Sequence, residues 1–373
     1  MSQPDKALRP EFGEQESRFA RVFALIRESI HTRAFPGAAL AVTHRGALVV
    51  SQGFGRFTYD PMSPEIHADT VSDLASLTKV VATTAMAMVL RERGIVDLDS
   101  SVAAILPNFV SLAPTGQRVD REAVTIRMLL AHSSGLPAYV RLFETTHSRD
   151  ELIHAALATP LVAPPGSKAE YSDIGFILLG EILARMAGMP LDVFAQNEIF
   201  APLSMTQTCF NPPAERKSSI PPTEDDRTFR HRVVQGEVND ENAWVMGGVA
   251  GHAGLFAPAT DVARFAECML RGRLPILQPS TVELFTCRET SPTGTSRALG
   301  WDTPSQPSSS GAHFSPCSFG HLGFTGTSLW IDPERQLSVT LLTNRTWPDR
   351  SSQAIKQVRP LVHNAIVEAL YPV

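Results

Sequence analysis

The sequence predicts an α+β protein: one antiparallel sheet assembled from both ends of the chain, flanked by helices, with a long and mostly helical insertion between them. Three observations carry this. The chain opens as helix then hairpin, it closes as hairpin then helix, and residues 80 to 290 show mainly the periodicity of helices. With 373 residues, 43% of them hydrophobic, there is ample apolar material for a large core.

Taken in order, Phe19, Val22, Phe23, Ile26 and Ile30 recur at helical spacing and predict an amphipathic helix over 16–32, ended by Pro36-Gly37. AALAVTH and ALVVSQGF follow as strands joined at Arg45-Gly46, a hairpin on which that helix can rest. VVATTAMAMVLRERG closes at Gly94, and AVTIRMLLAH, GFILLGEILARMAG and DVARFAECMLRG continue the helical pattern. TSLWIDP and QLSVTLLTN then flank a Pro333-Glu334-Arg335 turn, and SQAIKQVRPLVHNAIVEAL forms a last helix. Residues 1–373 are read as a single domain with an α/β lobe (1–79 plus 291–373), a helical lobe (80–290) and a cleft where they meet. The Pro-, Ser- and Gly-rich stretches 211–242 and 291–318 are expected to roof that cleft or to be partly mobile.

Charge and composition exclude several functions. A formal charge of -5 provides no basic field for nucleic acid. Cys209, Cys268, Cys287 and Cys317 form no CxxC pair and are expected to be thiols, mostly buried. Neither a zinc pattern, a P-loop nor a GxSxG motif occurs, and Gly53-Phe54-Gly55 is too short for a dinucleotide fingerprint, so no metal and no cofactor is expected. The N-terminal stretch MSQPDKALRPEFGEQESR is polar, and no apolar run reaches membrane-span length, which makes the cytoplasm the expected location unless a leader has been removed.

Chemistry concentrates in three places. Ser76-Leu77-Thr78-Lys79 opens a helical stretch, and residues three apart share a face, so a hydroxyl and an amine become neighbours. They read as a nucleophile with its base, or as an N-cap serine with a solvated lysine. As a base, Lys79 has to be held neutral, with its pKa depressed from ~10.4. Tyr171 precedes the helix GFILLGEILARMAG, either as a proton-transfer group at a cleft or as a half-buried tyrosine beside an N-cap at Ser172 or Asp173. His321-Leu322-Gly323-Phe324-Thr325-Gly326 leads into a strand, where glycine admits a substrate or merely eases a bend. His252, Asp240 and Glu241 read as loop-bracing groups rather than a metal or acid-base site.

In this order the three stretches resemble the serine β-lactamase and penicillin-binding protein family, especially its class C-like branch with DD-peptidases and family VIII esterases. LLAHSSGLP (129–137), PPGSKAEYSDIGFILLGEI (164–182), GEVNDENAWVMGGVAGHAGLFAPATDVARF (236–265) and HLGFTGTSLWIDP (321–333) are similar to the type 4B penicillin-binding proteins, and the likeness spans nearly the whole chain. The resemblance implies a β-lactamase/transpeptidase-like fold and an acyl-enzyme mechanism in which Ser76 attacks a carbonyl while Lys79 and Tyr171 relay the proton. It implies an oxyanion hole from the amides of Ser76 and Phe324, and substrate contacts at Asp173, His321, Gly323 and Thr325.

Two positions depart from that pattern. Asp173 stands where many relatives carry Asn, and a carboxylate cannot donate a hydrogen bond to an acylamide carbonyl, so it is expected to hold a substrate amine or hydroxyl, or to cap the helix. His321 stands where many carry lysine, so its pull on a substrate carboxylate is expected to be weak and pH-dependent. The expected activity is therefore a serine hydrolase acting on a small-molecule ester or amide. A DD-carboxypeptidase or weak β-lactamase acting on D-alanyl peptides or penicillins is the alternative, and a penicillin-binding receptor or scaffold without turnover is the reading from another class.

Overall fold

A computed structural model describes residues 8–271 and 276–372. The start of the polar N-terminal stretch and Gly272, the end of DVARFAECMLRG, lie outside the described residues. Six strands form the main sheet: β1 (Arg9–Pro10), β2 (Gly37–His44), β3 (Ala47–Gly55), β4 (Phe319–Leu322), β5 (Ser328–Asp332) and β6 (Leu337–Thr343). Their order is β1-β3-β2-β6-β5-β4. All neighbours are antiparallel except the short β1, which runs parallel to β3. The two chain ends join where β2 pairs with β6, from Leu337 opposite His44 to Thr343 opposite Ala38.

The predicted first hairpin forms with Arg45 (φ 50°) and Gly46 (φ 81°) both left-handed, the two-residue turn whose twist matches that of the flanking strands. Side chains then alternate across the sheet. Five helices build the layers on either side of it: α1 (Ala20–His31), α2 (Ala85–Glu92), α3 (Asp173–Ala187), α4 (Ala259–Arg271) and α5 (Ile355–Leu370). Ala38, Leu40 and Val42 of β2 join Val22, Phe23 and Ile26 of α1 and Val362 and Ile366 of α5 in one buried cluster. Ala39 and Ala41 point the other way, into a larger cluster that contains α2, α3 and α4.

Helix α4 lies against the sheet although the sequence reading placed it in the helical lobe. Its apolar stripe of Val262, Phe265, Ala266 and Met269 covers the inner sheet face, a tertiary choice that periodicity alone does not reveal. The insertion also holds short strands, and two of them, Cys209–Phe210 and Leu255–Ala257, form a three-stranded sheet with Ser72–Asp73, which precedes it. Two- and three-residue strands carry no readable alternation. Among the cysteines, Cys268 is buried and Cys209 half-buried, but Cys287 and Cys317 are exposed, which corrects the expectation of mostly buried thiols. No single described helix is long and apolar enough to cross a membrane.

Leu341 of β6 is fully buried in the cluster between sheet, α1 and α5. Leu341→Ala is expected to destabilise the protein by about 2–5 kcal/mol, read as a lower urea midpoint at unchanged slope. A loss well under 1 kcal/mol would contradict the tight packing of this layer.

Candidate active site

The nucleophile candidate sits on a constrained turn. Ala75 takes a left-handed conformation (φ 47°), unusual for a residue with a side chain, and Ser76 follows it on the 3-10 turn Ala75–Leu77. The turn is held by Asp73, whose carboxylate accepts the Ala75 N–H at 2.8 Å and the Asn239 N–H at 2.7 Å. Burial pushes the Asp73 carboxyl up to about 6, against the pull of these two bonds. Lys79 then opens a wide π-helical turn, Lys79–Thr84, that leads into α2. Ser76 and Lys79 therefore do not share one regular helix as expected, yet Lys79 Nζ lies 2.9 Å from Ser76 Oγ.

Lys79 is fully buried. Besides Ser76, its Nζ meets the His252 carbonyl oxygen at 3.0 Å and Asp173 Oδ1 at 2.6 Å, and it stands 4.8 Å from the centre of the Tyr171 ring. Burial pulls its pKa down, but Asp173 and then Tyr171 more than offset this, and the net displacement is upward. That corrects the expectation of a depressed lysine: desolvation is present, and a buried carboxylate overrides it. The Tyr171 side chain stands beside Lys79, and its own pKa is raised by burial, with Lys79 opposing. Ser172, not Asp173, caps α3, accepting the Gly175 N–H at 3.0 Å. Asp173 is left free to face Lys79.

Strand β4 and the turn after it are stitched to the segment carrying Ser76. Thr325 Oγ1 donates to the Asp73 carbonyl at 2.9 Å and Thr327 Oγ1 to the Leu74 carbonyl at 2.9 Å. Arg359 of α5 donates to the carbonyls of Gly323 and Thr327 at 3.0 and 2.7 Å, fixing the turn from behind. Phe324 and Ser76 both line the same cavity of about 510 Å³, and no described residue accepts a hydrogen bond from either amide. Gly323 lines it too. Thr325 does not: it is fully buried with its hydroxyl committed to Asp73, so the expected substrate contact is corrected to a structural one.

His321 lines the cavity but is almost wholly buried. Its Nδ1 lies 2.8 Å from the Leu322 carbonyl, which can only accept, so Nδ1 carries the proton. Burial, then Lys79 and Arg297, hold its pKa well below the ordinary value. A neutral ring exerts no charge attraction near pH 7, which corrects the expected pH-dependent pull on carboxylates. His252 and Asp240 brace each other at 2.8 Å, and Asp240 also caps the short helix Glu241–Val245 through the Ala243 N–H. Although burial opposes ionisation, His252 brings the Asp240 carboxyl down to about 2. Glu241 pairs with Arg350 at 3.0 Å. His252 is buried behind the cavity, whereas Asp240 and Glu241, besides these contacts, line it.

Three cavity or supporting residues escaped the sequence. His132, inside LLAHSSGLP, accepts the Ser172 N–H on Nδ1 at 3.0 Å and packs its ring 4.7 Å from that of Tyr171, which it thereby orients. Arg297, from the stretch 291–318, lines the cavity 5.6 Å from the Tyr171 ring centre. Tyr139 lines it as an exposed aromatic. Only His132 had a usable signal, its place in a motif-like run.

A serine, a buried lysine and a tyrosine converging beside a sheet edge define a β-lactamase/transpeptidase-like protein. The Beta-lactamase family model matches residues 22–362, and the chain belongs to that family. It is 33% identical over 344 residues to "N-acetylmuramyl-L-alanine amidase" of Bacillus subtilis (strain 168), covering 83% of this chain and 77% of that one. It is 32% identical over 375 residues to a "Putative D-alanyl-D-alanine carboxypeptidase" of Salmonella agona (strain SL483), covering 91% and 84%. Among solved structures, "EstCE1, a hydrolase with promiscuous acyltransferase activity" superposes with a TM-score of 0.76 at 20% identity, covering 94% of this chain and 99% of that one. A penicillin-binding protein homolog from Caulobacter crescentus gives 0.74 at 21%, covering 95% and 98%. These two likenesses show the fold.

A Cβ on Gly323 would strike the Thr327 hydroxyl and lie 2.6 Å from the Leu74 carbonyl. Gly323→Ala is expected to shift β4 away from Ser76 and slow fluorophosphonate labelling by about a hundredfold, since misplacement by about an ångström has that effect. Labelling at the wild-type rate would show that this close approach does not position the site.

Proposed function

We propose that the protein is a serine hydrolase that cleaves small esters or amides through an acyl-enzyme on Ser76. The observation that carries the reading is the 2.9 Å contact between Ser76 Oγ, open to the cavity, and the buried Lys79 amine. As the Oγ proton moves to the unprotonated amine, Oγ bonds to the substrate carbonyl carbon and the π pair passes to the carbonyl oxygen. The amides of Ser76 and Phe324 receive that oxyanion, each such donor being worth ~2.7–4 kcal/mol in the transition state. Collapse breaks the bond to the alcohol or amine, which leaves with a proton relayed from Lys79 through Tyr171. Water, giving up a proton by the same route, then attacks the acyl carbon and frees Ser76.

The ester preference rests on His321, which is neutral, and on Asp173, which is engaged with Lys79 and has no proton to offer an acylamide. A second reading is a DD-carboxypeptidase. The Arg297 guanidinium in the cavity wall supports it as a partner for a substrate carboxylate, together with the printed name of the Salmonella relative. We take the whole chain as one catalytic domain, because Ser76, Tyr171 and Phe324 come from its beginning, middle and end.

Ser76→Ala is expected to abolish fluorophosphonate labelling and to lower ester hydrolysis by at least about a thousandfold. Labelling that persists on another serine would remove the assignment. Intact-mass measurements over time with penicillin, a p-nitrophenyl ester and a D-alanyl peptide separate the classes: turnover of the ester supports the reading, fast turnover of the peptide alone supports the second, and a lasting adduct without turnover marks a receptor.

A further inference from the structure

We propose that Asp173 is a positioning residue for acylation: it serves as the buried counter-ion of Lys79 and aims the amine lone pair at Ser76. The inference rests on the serine-hydrolase reading above. Lys79 Nζ has Ser76 Oγ, the His252 carbonyl and Asp173 Oδ1 within 3.0 Å, with the Tyr171 side chain beside it. The His252 carbonyl can only accept, so one N–H points at it whether the nitrogen is an amine or an ammonium, while the Asp173 carboxylate lies against Nζ as its ion-pair partner. Another position faces Ser76 Oγ at 2.9 Å. It holds an N–H when Lys79 is charged and can hold the lone pair when it is neutral, so the same geometry serves before and after the proton moves.

Asp173 also sets the charge that this exchange creates. When neutral Lys79 takes the Ser76 proton, the new ammonium arises 2.6 Å from a carboxylate, much as a triad aspartate faces the imidazolium formed beside it. Other ionisable groups surround Lys79, but each is engaged elsewhere or uncharged. Asp240 is bound to His252 and to a helix N-terminus, and Arg297 lies near Asp302. His132 and His321 are held neutral by burial, and Tyr171 is kept protonated by it. Among the described residues Asp173 is the one carboxylate in contact with the ammonium. Its presence has a corollary: the resting lysine is charged, and the reactive amine appears only as the pH rises.

The test is the second-order rate of fluorophosphonate labelling from about pH 6 to about pH 11, which needs no substrate amide or carboxylate. For the wild type the rate is expected to climb on the alkaline side; a plateau already reached by pH 8 would overturn the proposal. Asp173→Asn keeps an oxygen for Nζ and removes the charge. It is expected to move the rising limb at least about one pH unit towards acid, and to lower the plateau by about tenfold or more. Asp173→Glu restores the charge and should return the limb towards the wild-type position. A limb that stays in place in a folded Asp173→Asn variant would also overturn it. Absence of Ser76 labelling in the wild type at every pH would instead sink the hydrolase reading itself.

Discussion

The ion pair between Lys79 and Asp173 is the constraint on which the rest of the site depends. An isolated ammonium cannot be enclosed in protein without a large desolvation penalty, and it persists only when its charge is countered and its hydrogens are placed. Lys79 is fully enclosed, so three separate segments have to reach it: the turn with Ser76, the start of α3 with Asp173, and the loop with the His252 carbonyl. Breaking a buried pair by removing one partner typically costs about 3–5 kcal/mol. The assembly of the cleft and the stability of its floor are therefore the same matter.

A second layer of polar contacts makes the sheet answer to that floor. Asp73 fixes the left-handed Ala75, and the carbonyls of Asp73 and Leu74 accept from Thr325 and Thr327. Arg359 reaches from α5, which lies on the opposite face of the sheet from α2, and binds the two carbonyls at the ends of the Gly323 turn. Burial brings the Arg359 pKa down to about 9, still well above neutrality, so the guanidinium stays charged and its bonds to carbonyls are charge-assisted. The amide of Phe324 is consequently aimed by helix, sheet and nucleophile turn together.

Much of this was legible in the residues, and the boundary of legibility has a physical basis. Two short apolar runs and a two-residue turn disclosed β2 and β3, and the order of Ser76, Lys79, Tyr171 and His321 pointed to the candidate site. What stayed hidden depends on through-space pairing. The protonation of Lys79 follows from a carboxylate 94 positions away, so burial could be anticipated while the sign of the net shift could not. Thr325 was a substrate contact by resemblance alone; on a tight turn successive side chains part, and Thr325 turns inward to Asp73. The packing of α4 on the sheet was hidden for a similar reason, since an apolar stripe does not name the surface it will cover.

The charges around the cavity form a pattern that bears on selectivity. Lys79, Asp173 and Asp240 cluster at its base, and Glu241 is compensated by Arg350. The two imidazoles near the reacting centre, His132 and His321, are pushed towards neutrality by burial and by the cations beside them. Neither gains charge as the pH moves through the range where an ordinary histidine titrates, so the field felt by a substrate there is set by fixed charges. Arg297, Arg345, Arg350, Lys356 and Arg359 also line the cavity, so its fixed charges include several cations, of which Arg350 is offset by Glu224 and Glu241.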